Sequence, residues 1–84
     1  MNRILGLEEK LMQLFAEKLK IGLDSPDEDL IEGGVVDSLI LADLLLHVEQ
    51  EFGVLIDLGQ LEIDDLRSVS RIAKLIAKNG GSAA

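Results

Sequence analysis

Ser38 is the residue of this 84-residue chain best placed to carry a chemical group. It lies in the run Gly33-Gly34-Val35-Val36-Asp37-Ser38-Leu39, where two glycines end a loop and a segment of dense helical periodicity begins. Asp37 or Ser38 can start that helix, because a small side-chain oxygen there accepts a hydrogen bond from an otherwise unpaired amide of the first turn. The positive end of the helix dipole favours a negative group at the same place, and the free amides suit a phosphate. A Ser-His-Asp arrangement is excluded by distance. Ser38 and His47 stand nine residues apart on one helix, about 13 Å along its axis, too far for a nucleophile to touch its base. With a single His, no Cys, Tyr or Trp, and no glycine-rich phosphate loop, the chain is not expected to be an enzyme. His47 reads as a partly exposed helix residue, and no metal site is expected around it.

The element that must hold Ser38 runs from Gly33 to Phe52. On a wheel of 3.6 residues per turn, Leu41, Leu45, Val48 and Phe52 share a stripe with Leu44 beside it, which is the expected buried face. Leu39, Asp43, Leu46 and Gln50 form a second stripe away from the first, with Ile40, His47 and Glu51 beyond it. Apolar positions rimmed by Asp43, Glu49 and Glu51 beside a helix start suit a partner-docking surface.

Other helices are needed to cover that buried face. Ile4, Leu7, Leu11, Leu14, Phe15 and Leu19 predict an amphipathic first helix, ended by Gly22. From Leu23 to Gly34, Pro26 and the acids Asp24, Asp27, Glu28 and Asp29 predict a long irregular loop with one helical turn around Asp27 to Leu30. The acids lack the spacing of a calcium loop and read as a solvated charge run. Gly53 breaks the second helix, and Val54-Leu55-Ile56 reads as an extended connection, since a lone strand would have no partner. Leu58, Leu61, Ile63 and Leu66 predict a short helix weakened by Gly59. Ser68 caps a last helix carrying Val69, Ile72, Ala73 and Ile76, which Asn79 and Gly80 stop. The expected fold is all-α, a small four-helix bundle of three longer helices and one short one, with a long loop between helices 1 and 2. Residues 1–79 form the domain and 80–84 a flexible tail.

Composition narrows the partners. Sixteen acidic residues against eight basic ones, a formal charge of -8, repel nucleic acid and anionic membranes and favour basic protein surfaces. Nothing resembles a signal peptide or is long enough to span a bilayer. The absence of Cys fits a reducing compartment, so a cytoplasmic location is expected, and the chain is expected to be a monomer.

Asp37-Ser38-Leu39, followed by Glu49, Glu51-Phe52-Gly53, Ile56, Ser68-Val69 and Ile72-Ala73, resembles the acyl carrier protein and peptidyl carrier protein family from about Ile4 to Ile76. The resemblance implies that Ser38 receives 4'-phosphopantetheine from coenzyme A through a phosphopantetheinyl transferase. The arm's thiol then holds an acyl or aminoacyl group as a thioester. A loading ligase and downstream acyl-processing enzymes are the implied partners, docking at Val36, Asp37, Leu39, Asp43, Leu46 and Glu49. Gly34 stands one place further from the serine than in the common pattern, and Gln50 replaces a frequent acid. These features, with Asp64-Asp65 before Leu66, look more like D-alanyl carrier proteins and other stand-alone carriers than like housekeeping fatty-acid carriers. A reading of a different class makes the chain a non-catalytic helical adaptor in which Ser38 is only a helix cap.

Overall fold

The spacing of Leu7, Leu11, Leu14 and Phe15 winds into α1 (Arg3–Glu17), which buries all four side chains. The computed structural model describes residues 3–57, 59 and 61–80, and among these the regular structure is entirely helical, with no strand. α2 spans Ser38–Phe52 and α3 spans Val69–Lys78. α1 and α3 pack directly against each other. α2 completes the core with Leu44, Val48 and Phe52, while Leu30, Val54 and Leu66 seal it from the connecting segments.

The short helix expected near Leu66 is a single 3-10 turn, Ile63–Leu66, so the architecture is three helices and a turn. A capping box starts the turn, with the Asp65 amide donating to the Glu62 carbonyl at 3.0 Å and the Glu62 amide to Asp65 Oδ2 at 3.3 Å. Leu66 is buried, Leu61 is half-buried and Ile63 is exposed. The segment Val54 to Asp57 is an unpaired connection, as expected. The Ile4 side chain, Leu58 and the tail 81–84 lie outside the described residues.

Two expectations are corrected. The core line of α2 is Leu44, Val48 and Phe52, with Leu41 packed beside it, whereas Leu45 is only partly buried. At about 100° per residue, Leu45 falls about 20° outside the arc these four span, on the edge of the buried face. Nor does Gly22 end α1. The helix closes at Lys20, whose φ of 60° is left-handed, and the Ile21 amide reaches back to the Phe15 carbonyl at 2.8 Å. A side chain in that conformation costs about 1–2 kcal/mol relative to glycine, partly offset by glycine's greater chain entropy. Lys20→Gly is accordingly expected to raise stability by up to about 1 kcal/mol, an increase of a few degrees in Tm. Thermal melting checks this, and a lower Tm would show that the Lys20 backbone carries no such cost.

α3 begins and ends as its sequence predicts. Ser68 Oγ accepts the Arg71 amide at 3.2 Å, and Asn79 closes the helix, its amide donating to the Leu75 carbonyl at 3.1 Å.

Candidate functional site at the start of α2

The loop before α2 is held from two directions. Asp29 Oδ1 accepts the amides of Ile31 (3.0 Å) and Glu32 (2.9 Å), folding residues 30–34 into a turn, one turn later than expected. Gly33 lies so close to this turn that a Cβ would come within 2.9 Å of the Asp29 carbonyl oxygen, and Gly34 has φ 69°. Both glycines are thus required, one for space and one for backbone angle. The buried Leu30 then accepts the amides of both Val35 (3.0 Å) and Val36 (3.1 Å) on its carbonyl, drawing the chain straight up to Asp37.

Asp37 is the N-cap. Its backbone is extended, and Oδ1 accepts the Ile40 amide at 2.9 Å. Ser38 is therefore the first residue of the helix and not its cap, which removes the premise of the adaptor reading. The Ser38 side chain is exposed, and its hydroxyl makes no hydrogen bond among the described residues. The backbone amides of Ser38 and Leu39 likewise have no protein acceptor there. They leave donors free at the positive end of the helix.

The hydroxyl inventory sharpens this. The chain has no Thr or Tyr, and its serines are Ser25, Ser38, Ser68, Ser70 and Ser82. Ser25 Oγ accepts the Asp27 amide, Ser68 is buried and caps α3, and Ser70 Oγ donates to Glu8 at 3.3 Å. Ser82 lies outside the described residues. Among the described serines, Ser38 alone offers an exposed and uncommitted oxygen.

The expected docking residues are brought together unevenly. Leu39 is 79% exposed and Leu46 49% exposed, and with the exposed Asp43 they lie on the side of α2 opposite its core line. Asp37, the cap, and Glu49 are also exposed. Val36 differs: it is half-buried and packs against the core, its amide held by Leu30.

Arg67 and Asp29 are the residues missed by sequence reasoning. Asp29, expected in a solvated charge run, pairs with Arg67 Nη1 at 3.0 Å, 38 positions away in the chain. Arg67 also grips Asp64, with Nε and Nη2 at 3.0 and 2.9 Å from Oδ1, and its carbonyl takes the Leu30 amide at 2.7 Å. The donated Glu32 amide, followed by Arg67, holds the Asp29 carboxyl below its usual pKa against the opposing pull of partial burial. Arg67 in turn is held more firmly protonated, by Asp64 first and Asp29 next. One signal was visible: no Lys or Arg stands between Lys20 and Arg67, so that long acidic stretch has to look outside itself for a cation.

Residues 9–76, well over half of the chain, match the family described as phosphopantetheine attachment site, and the chain belongs to that family. It is a carrier protein, not an enzyme, with 4'-phosphopantetheine as its covalently attached prosthetic group. Among individual proteins it is similar to the D-alanyl carrier proteins of Streptococcus pyogenes serotype M5 (strain Manfredo) and serotype M49 (strain NZ131). Each is 28% identical over 71 residues, covering 83% of this chain and 90% of the relative. The start of α2 fits such a group: it offers an uncommitted hydroxyl and unpaired amides at the positive end of the helix. Among the described residues no helix is long and apolar enough to cross a membrane, and no cluster of acids and His could hold a metal ion.

Proposed function

We propose that Ser38 is the attachment residue and that the chain is a discrete carrier of an acyl or aminoacyl thioester. The single observation carrying this is that Asp37 supplies the cap, leaving the Ser38 hydroxyl exposed and unbonded at the first turn of α2. The prosthetic group supplies the thiol that this cysteine-free chain lacks. The chain's own residues present the serine, bring unpaired amides to the ester phosphate and offer a surface to the enzymes that load and unload the arm. The D-alanyl carrier proteins among its relatives favour an aminoacyl cargo. A phosphopantetheinyl transferase, a loading ligase and an enzyme that accepts the cargo are the partners this requires, meeting a monomer in the cytoplasm.

The test is mass spectrometry of the apo protein incubated with coenzyme A, magnesium and a broad-specificity phosphopantetheinyl transferase. One phosphopantetheine per chain, mapped to the peptide containing Ser38, is the expected result. A folded protein that gains nothing overturns the proposal.

The docking surface is Asp37, Leu39, Asp43, Leu46 and Glu49 with the exposed part of Val36. Charge steers the encounter and the isolated leucines supply a small apolar contact, so that a loaded carrier can leave again. Asp43→Lys and Glu49→Lys are expected to slow modification several-fold at low salt, with unchanged helicity by circular dichroism. The difference should shrink as salt is added, because exposed charges are screened. Equal rates at low salt would remove the acidic side chains from the docking surface.

A further inference from the structure

We propose that Arg67 is a positioning residue for the attachment reaction: by clamping Asp29 and Leu30 it sets how the loop delivers Ser38 to the modifying enzyme. This rests on Ser38 being the attachment site. The connection is continuous and short. The Arg67 guanidinium holds Asp29 Oδ2 at 3.0 Å while its carbonyl accepts the amide of the next residue, Leu30, at 2.7 Å. The Leu30 carbonyl gathers the amides of Val35 and Val36, and only Asp37 then separates that anchor from the serine. Outside this path, one further backbone bond, Ser70 amide to Pro26 carbonyl at 2.9 Å, ties the early loop to α3.

The pair adds little to the stability of the whole fold, since both side chains are about one-third exposed, at 34% and 35%. Its leverage is local. Asp29 and Asp64 share one guanidinium, Asp29 on Nη1 and Asp64 on Nε and Nη2, so its removal leaves two like charges without the cation they share. No Lys or Arg between Lys20 and Arg67 is available to replace it. Repulsion then opposes the turn that places Val35 and Val36 under Leu30, and the serine is delivered in its ordered arrangement for only a fraction of the time. An enzyme that recognises the ordered arrangement meets a correspondingly diluted substrate.

Arg67→Gln is therefore expected to raise the KM of the apo protein in phosphopantetheine transfer about three- to tenfold with kcat little changed, since binding restores the order that the clamp had supplied. Asp29→Asn keeps an oxygen to accept the Ile31 and Glu32 amides but loses the charge that Arg67 holds, and should raise KM by a smaller factor, because it breaks the ion pair without leaving two carboxylates to repel each other. The double variant should show no further rise, because both changes break one connection. Arg67→Lys keeps the charge without the two-edged grip and should fall between wild type and Arg67→Gln.

Amide hydrogen exchange supplies a readout independent of the transferase. In Arg67→Gln the Val35 and Val36 amides should exchange faster while those of Ala73 and Ile76 in α3 do not. Acceleration of all four together would mean that Arg67 merely stabilises the fold, and overturns the proposal. So would an unchanged KM in both single variants, or effects that add in the double variant, the mark of Arg67 touching the enzyme directly. Wild-type protein that accepts no phosphopantetheine would overturn the Ser38 assignment and this inference together, whereas modified wild type with unaltered variants overturns this one alone.

Discussion

Ser38→Ala is expected to take up no phosphopantetheine under conditions in which the wild-type apo protein is fully converted. The loss should be complete rather than partial. The hydroxyls of Ser25, Ser68 and Ser70 are engaged in bonds within the fold, and the chain has no Thr, Tyr or Cys to substitute. Misfolding would not explain such a loss. The Ser38 side chain is exposed and makes no hydrogen bond among the described residues, Asp37 still caps the Ile40 amide, and alanine is well tolerated inside a helix. Matching circular dichroism and melting curves for the two proteins would establish this. Ser82→Ala, which alters the remaining serine outside the described residues, should be modified like wild type. A Ser38→Ala protein that still gains the group would place the attachment elsewhere.

The second large effect separates two neighbouring leucines. Leu44→Ala removes a side chain with no solvent exposure from the centre of the core, and a loss of about 2–5 kcal/mol is expected. Leu45→Ala removes a partly exposed side chain at the edge of the buried arc, with an expected loss of about 1 kcal/mol. A domain of this size has about 5–10 kcal/mol in all, so the first variant should be visibly destabilised and the second should melt close to wild type. Urea unfolding followed by circular dichroism decides it. Equal losses would mean that α2 sits rotated from the orientation described here.

That contrast also marks where sequence stops being informative. Local signals were readable because their causes are local: the glycines before α2, the cap at Ser68, the breaks at Gly53 and Asn79, and the Asp37-Ser38-Leu39 motif. A helix with leucine at 39, 41, 44, 45 and 46 has apolar residues on most of its circumference. Its own periodicity could not say whether Leu44 or Leu45 points inward, since that depends on where α1 and α3 stand. The closure of α1 at Lys20 was hidden for a different reason: a lysine in a left-handed conformation leaves no mark in the sequence, whereas Gly22 advertises a stop that the chain does not use. Asp29 and Arg67 were invisible as a pair because folding, not sequence proximity, joins them. The candidate site was therefore legible as a motif, but the contacts that support its loop were not.

Because Ser38 belongs to α2 itself and not to the loop, a group attached there would be rooted in a rod about 22 Å long whose far end is the break at Gly53. Geometry makes that rod a lever. A tilt of about 10° around Gly53 would carry Ser38 through about 4 Å, Leu44 through about 2 Å and Phe52 through almost nothing. On the proposed docking surface, Leu39 and Asp43 stand at the long end of that lever, and the bonds running from Arg67 through Leu30 would oppose its movement.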